Sequence, residues 1–189
     1  MIIRQAEEDD AQQIVALFHL ILKEMEVPLL KQTDADSLKK ALSLSFKTKE
    51  CRQTLAQTIV AEIDGEVAGI AFGYPNENDA KVDSLLCRYF PKVGLQARDS
   101  IYDQDANELP NEWYLDSLVV APKFRGKGIG TALLKRLPQV ARTESKFKIG
   151  LDVDFSNPKA EHLYRKIGFR GVKTCVIDHH KYKHLQVAI

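Results

Sequence analysis

Apolar positions recur along this chain with two different periods, and the switches between them mark its elements. Residues 2–5 read as a short strand. From Asp9 or Asp10 onward, Ile14, Leu17, Phe18, Ile21, Leu22 and Met25 fall on one face of a helix that Pro28 ends. A second helix, starting near Thr33 or Asp34, carries Leu38, Ala41, Leu42, Ser45 and Phe46 on one face, and both helices read as cover for a core. Thr58 to Ile63 and Glu66 to Tyr74 flank Asp64-Gly65, which supplies the positive φ angles of a tight turn, so this stretch predicts an antiparallel hairpin. Gly69 and Gly73 weaken its second strand and are read as marking a bulge or a close approach by another group.

Downstream, Trp113 to Val120 is an apolar strand and Ala121 to Phe124 a turn. Ile129, Leu133, Leu137, Val140 and Ala141 then make a helical face, with a bend or a new turn expected at Pro138 because it lacks an N–H. Phe147 to Phe155 alternates, Ile149, Leu151, Val153 and Phe155 on one side and Asp152 and Asp154 on the other. Asn157-Pro158 starts a helix of about 158–167 that Gly168 stops. Two strands, about 169–177 and 182–189, joined through Asp178-His179-His180-Lys181, complete the order.

Residues 75–111 fit neither period beyond a short helical stretch around Leu85 to Phe90. The segment is too long for an ordinary connection and reads either as a substrate-side insertion or as plain surface loop. Its acidic residues (Glu77, Asp79, Asp83, Asp99, Asp103, Asp105, Glu108) outnumber its basic ones (Lys81, Arg88, Lys92, Arg98), which favours a cationic substrate. At 189 residues and 44% hydrophobic, the chain suits a single domain, 1–189, that contains this insertion. A net charge of +1 gives no reason to expect nucleic acid or a membrane as partner. Cys51, Cys87 and Cys175 form no C-x-x-C pair and are odd in number, so they read as reduced structural cysteines. The N-terminus lacks signal-peptide character and no apolar run approaches about 18 residues, which predicts a soluble, cytoplasmic protein.

Candidate chemistry concentrates where the strand ending at Val120 runs into Arg125-Gly126-Lys127-Gly128-Ile129-Gly130 and at once into a helix. Such a junction offers backbone N–H groups and the positive end of a helix to a phosphate, the glycines let the backbone approach, and Arg125 and Lys127 add charge. The spacing is not that of a G-x-x-x-x-G-K-[ST] loop, and Thr131 does not supply the last glycine of G-x-G-x-x-G.

Three features coincide: Arg125, Gly128 and Gly130 on the pattern Q/R-x-x-G-x-G/A; a strand ending at Phe155 with Ser156-Asn157-Pro158-Lys159-Ala160 after it; and Leu163-Tyr164-Arg165-Lys166-Ile167-Gly168-Phe169. In the element order β-α-α-β-β-(insert)-β-α-β-α-β-β they resemble the GNAT superfamily of acetyl-CoA-dependent N-acetyltransferases. The resemblance implies an α+β (mixed α/β) fold: a mostly antiparallel sheet of six to seven strands, with parallel strands four and five splayed and about four helices around it. It implies acetyl-CoA as co-substrate, an amine as acceptor and no metal. It assigns cofactor binding to Leu118, Val119 and Val120, to Arg125, Gly126, Lys127, Gly128, Ile129, Gly130 and Thr131, and to Asn157, with the pantetheine arm on the backbone of Leu118 and Val120.

Transfer to an amine needs a neutral nucleophile, stabilisation of the oxyanion and a proton for the departing thiolate. The resemblance makes Tyr164 the general acid, and Asn157, seven residues before it, projects from nearly the same helix face. Tyr164 also belongs to a stripe with Ala160, Leu163 and Ile167 that reads as core. For the base, Asp116 stands where polyamine acetyltransferases of the family carry a glutamate, and Asp152 where the ribosomal-protein alanine acetyltransferases carry theirs. Asp116, on an apolar strand with Leu118 and Val120 on its parity, is slightly favoured, directly or through water, against a structural role bonded to loops. His19, His162, His179 and His180 make no metal spacing, and only His179 or His180 is a candidate for the acceptor site. The expected activity is acetylation of a primary amine of a small molecule, peptide or protein by direct attack in a ternary complex. The alternative is an acyl-CoA-binding sensor or interaction module on the same fold without turnover. An exposed last strand could support a homodimer.

Overall fold

The structure, a computed structural model, describes residues 1–102, 109–177 and 179–189. Asp64 and Gly65 both take positive φ (51° and 79°), the geometry of a tight hairpin turn, and join β2 (Gln57–Ile63) to β3 (Glu66–Pro75). Around this hairpin the chain adds β1 (Ile2–Gln5), α1 (Ala11–Glu24), a single turn α2 (Leu29–Gln32) and α3 (Ala35–Phe46) before it. After it come α4 (Asp79–Cys87), β4 (Trp113–Val120), α5 (Ile129–Thr143), β5 (Lys148–Asp154), α6 (Pro158–Ile167), β6 (Arg170–Ile177) and β7 (His180–Ala188). Cap chemistry sets the helix ends: the Asp34 carboxylate accepts from Ser37 N (2.8 Å), Asn157 Oδ1 accepts from Ala160 N (3.1 Å), and Gly168 closes α6 at φ 112°.

The seven strands lie in the order β1-β2-β3-β4-β5-β7-β6. Every pair is antiparallel except β4 and β5, which are parallel and joined only at Trp113–Ile149 and Tyr114–Gly150. Beyond Tyr114 the two strands part and leave a fork. One correction concerns the last strand: β7 lies between β5 and β6, so the unpaired edge belongs to β6 and an edge-to-edge dimer through β7 is excluded by its own hydrogen bonding.

Helices α1, α3 and α4 cover one face of the sheet, where Phe18, Phe46 and Phe72 meet edge to face at centroid distances of 5.4–6.1 Å. On the opposite face α5 and α6 bury Leu133, Leu137, Ile149 and Leu151 around Trp113. Helix α5 runs unbroken through Pro138, and no new turn begins there. Burial of Leu133, Leu134, Leu137, Val140 and Ala141 on both sides of the proline, roughly 2 kcal/mol for each leucine, outweighs the cost of about 3 kcal/mol of a proline in a helix interior.

Residues 75–111 are not a plain loop. Helix α4 starts earlier than the expected 85–90 stretch, and Val82, Leu85, Leu86, Cys87 and Phe90 join the same core as α1 and α3. Of the acidic residues counted in this segment, Asp103, Asp105 and Glu108 lie outside the described residues, as does Asp178 of the last turn.

Both strand glycines sit at irregularities. A β-carbon at Gly69 would meet Val119 O at 2.9 Å, and one at Gly73 would overlap the Tyr114 carbonyl and the Trp113 ring. The second has a consequence for the fork. Gly73 pairs with Leu115 and Phe72 with Ser117, so Asp116 is the extra residue of a β-bulge on β4. The bulge breaks the alternation that placed Asp116 with Leu118 and Val120: those two pack toward α5 and α6, whereas the Asp116 carboxylate lies beside Tyr74 on the α1 side. Among the described residues no helix is long and apolar enough to cross a membrane.

Candidate active site

The fork is built by backbone hydrogen bonding. Ala121 N donates to Ala68 O (2.9 Å) and Val119 pairs with Ile70, so alternation turns the N–H groups of Leu118 and Val120 away from β3, into the opening between β4 and β5. Val119, grouped with them in the sequence reading, points its side chain into the core and its backbone at β3, which takes it off the open edge.

Past β4, Gly126 and Gly128 adopt φ of +78° and +77°, and nothing lies within 4 Å of where their β-carbons would be. Glycine is therefore needed here for backbone conformation, and the space above the turn stays open. Gly128 caps α5, so the N–H groups of Ile129, Gly130 and Thr131 have no acceptor within the helix and its positive end faces that space. The third glycine differs: a β-carbon on Gly130 would touch Leu163 of α6 at 3.3 Å, so it serves the packing of α5 on α6. Arg125 donates through Nε to Val120 O (3.1 Å) and reaches Glu24 of α1 (3.2 Å), while Lys127 Nζ lies 5.3 Å from the centre of the Phe124 ring.

A cleft of about 1120 Å³, its solvent mouth included, runs through the fork. It brings together Asp116, Asp152, Asn157 and Tyr164, which the sequence scatters over 49 positions, with Leu118 on the β4 wall. Its described lining carries six carboxylates (Glu24, Asp79, Asp83, Asp116, Asp152, Asp154) and no lysine, arginine or histidine, so the cleft is strongly negative. Asp79 and Asp83 come from α4, which makes the insertion one wall of the cleft.

The two aspartates proposed as bases differ in surroundings. Asp116 accepts from Ser117 Oγ (2.7 Å) and lies 3.4 Å from the Tyr74 hydroxyl, whose shorter bond goes to Asp79 (2.8 Å). Although its surface reaches the cleft, burial pushes the Asp116 carboxyl up to about 6, the Ser117 bond opposes this, and the Asp79 charge adds to it. Asp152 is tied down by three donors: Tyr114 OH (3.0 Å), Cys175 Sγ (3.2 Å) and His184 Nδ1 (3.0 Å). Tyr164 packs on Phe169 (5.9 Å between centroids) while lining the cleft, and burial raises its phenol to about 12, so it keeps its proton. Tyr164 is thus packed with the helix stripe and exposed to the cleft at once. Asn157 spends its side-chain oxygen on the cap of α6 and retains its amide N–H groups as donors.

Sequence reasoning missed Tyr74, Tyr114, Glu112 and His184. His184 is almost fully buried, with Asp152 at one ring nitrogen and Glu112 at the other (3.2 Å). The available signal was weak: Tyr182, His184 and Gln186 alternate along a strand whose facing partners are Asp154, Asp152 and Gly150, a register visible only after folding. His180 stays at the rim, 3.5 Å from Asp154, and neither it nor His179 lines the cleft. Among the described residues no group of histidine, cysteine and carboxylate side chains is placed to hold a metal ion.

The chain is similar to an N-alpha-acetyltransferase of Sulfurisphaera tokodaii, 28% identical over 168 residues that span 80% of this chain and 83% of that protein. A crystal structure described as that of an acetyltransferase superimposes over 100% of both chains at 40% identity with a TM-score of 0.86. An N-acetyltransferase from Staphylococcus aureus Mu50 superimposes over 99% of this chain and 100% of its own at 25% identity and a TM-score of 0.81. Residues 15–169, which contain the fork, the glycine turn and α6, match the family model for the acetyltransferase (GNAT) family, and the chain belongs to that family.

Proposed function

We propose that this protein transfers the acetyl group of acetyl-CoA to a primary amine of a cationic acceptor, by direct attack while both substrates are bound. The observation that carries the reading is the cleft through the fork, walled by carboxylates, with the open N-terminus of α5 following the end of β4. The turn fits the cofactor: two glycines at positive φ leave room over the unpaired N–H groups of Ile129, Gly130 and Thr131, which would hold the pyrophosphate. Leu118 and Val120 would give N–H donors to the pantetheine arm or the acyl oxygen, and Asn157 a side-chain amide.

Acetyl-CoA supplies an activated acyl group with a thiol as leaving group. Asp79, Asp83 and Asp116 attract the ammonium form of the acceptor. Asp116, ionised above about pH 6, takes one proton from this ammonium, directly or through a water, and passes it to solvent, leaving the neutral amine whose lone pair attacks the thioester carbon. The new C–N bond makes the remaining N–H acidic, and that proton returns through cleft water to replace the one Tyr164 gives to the sulfur as the C–S bond breaks. Asp152 is less suited to this step because its oxygens already accept from Tyr114, Cys175 and His184. Tyr164 donates toward the departing sulfur. A phenol at about 12 is a weaker acid than an ordinary thiol, but the burial that raises it raises a thiol in the same cleft as well. The experiment is release of free thiol from acetyl-CoA with a panel of amines of one, two and three positive charges. Turnover that grows with acceptor charge supports the proposal; binding of acetyl-CoA without thiol release from any amine favours a sensor or interaction module, and no binding removes both.

A further inference from the structure

The polar face of β5 and β7 carries a buried chain of charges that the chemistry above does not use. Asp152 and His184 are cross-strand partners, as are Gly150 and Gln186. Because residue 150 has no side chain, the Glu112 carboxylate, coming from the residue ahead of β4, occupies the space that a β-carbon there would fill. Fully buried, it accepts from Gln186 Nε2 (2.6 Å) and lies 3.2 Å from His184 Nε2. The other ring nitrogen of His184 is 3.0 Å from Asp152 Oδ1. Ionised carboxylates only accept, and a neutral imidazole has a single N–H, so a ring with a carboxylate at each nitrogen satisfies both contacts only as imidazolium. Burial by itself would lower the pKa of His184, but the bonds to Asp152 and Glu112 outweigh it and hold the ring at about 9.

The ring lies against Asp152 Oδ1, and the Tyr114 hydroxyl, 3.0 Å from Oδ2, donates to the same carboxyl group. The lone pairs of the Tyr114 oxygen are then left for the cleft, which Tyr114 lines. We infer that His184 and Glu112 are positioning residues for the acceptor: they fix Asp152 from behind, Asp152 accepts the Tyr114 hydroxyl hydrogen and so holds it away from the cleft, and the Tyr114 oxygen accepts an N–H of the amine next to Asp116. This rests on the acceptor reading of the cleft. The charged and titratable groups facing His184 are Asp152 on β5, Glu112 ahead of β4 and Lys173 opposite it on β6, with Tyr114 and Cys175 one step away through Asp152.

Two measurements test it. Side-chain nitrogen NMR of the intact protein, with the His184 signals assigned by their loss in His184→Gln, should show both ring nitrogens protonated at pH 8; a neutral ring there overturns the inference without requiring any variant to be active. Glu112→Gln keeps the shape and removes one flanking charge. Its kcat/KM for the amine should match wild type within about threefold at pH 6 and fall about tenfold by pH 8.5, as His184 loses its proton, with the KM for acetyl-CoA unchanged. Tyr114→Phe should lose a similar factor at every pH. If Glu112→Gln lowers the melting temperature while its pH profile stays parallel to wild type, the pair is structural and the inference fails. An inactive wild type that does not bind acetyl-CoA would instead overturn the acetyltransferase reading and the inference with it, even if His184 proves charged.

Discussion

Replacing Asp116 by asparagine separates its proposed chemistry from its cost to the fold. The carboxyl is raised from 3.8 to about 6, so the folded protein binds a proton more tightly than the unfolded chain does. The linked stability is complete below pH 4 and is lost as pH rises through 6, because the unfolded chain has by then released its proton and the folded one must bear the charge. At about 1.4 kcal/mol per unit, ionised Asp116 costs at most about 3 kcal/mol at pH 8, less where cleft water solvates it. Asp116→Asn should therefore raise stability by 1–3 kcal/mol at pH 8, roughly 3–10 °C in melting temperature for a domain of this size, and change it little at pH 4. Activity should move the other way: loss of a general base predicts a fall in kcat/KM of roughly 100-fold or more. The assay is thermal or urea unfolding at both pH values, together with a pH–rate profile from thiol release. Wild type should show an acid limb near pH 6 that the variant lacks. A variant that is destabilised at pH 8, or that keeps the limb and works within threefold of wild type, would refute the assignment of Asp116 as both the strained carboxylate and the base.

Tyr164→Phe should lower kcat 10- to 100-fold, with the KM for acetyl-CoA within threefold and the melting temperature unchanged, since the ring and its contact with Phe169 remain; steady-state kinetics on both substrates checks this. Gly128→Ala forces a side chain into φ +77° and should cost about 1–2 kcal/mol while weakening acetyl-CoA binding several-fold, read by calorimetry. At Gly150→Ala the new β-carbon would land on the Glu112 carboxylate, and the expected loss of about 3 kcal/mol or more, measured by urea unfolding, should exceed that of any other glycine-to-alanine change in β5 to β7.

Local rules made much of this protein legible in advance. The Asp64-Gly65 turn, the caps at Asp34 and Asn157, the stop at Gly168 and the helical stripes of α1, α3, α5 and α6 each depend on residues within a few positions of one another, and each formed where the pattern placed it. The glycine turn behaved the same way, because positive φ at Gly126 and Gly128 is a property of the turn itself. The helix continues through Pro138 without a new turn, and α4 starts earlier than expected, because burial against distant residues outweighed a local cost in one case and a weak local pattern in the other.

The site divides along the same line. Asp116, Asp152, Asn157 and Tyr164 could be named as candidates from motif and position, but a strand read alone has strict alternation. The bulge that turns Asp116 toward Tyr74 lies where Gly73 admits the Trp113 ring and the Tyr114 carbonyl from the neighbouring strand. Nor does any local feature tie Glu112 to His184, 72 residues away, or Tyr74 to Asp116, 42 residues away. Sequence by itself determined most of the elements, the glycine turn and the family, since those follow from backbone conformation over short spans. Which aspartate has fewer donors and which is clamped by three, and how negative the cleft becomes, only tertiary structure decided, because burial and charge depend on what long-range strand register brings together.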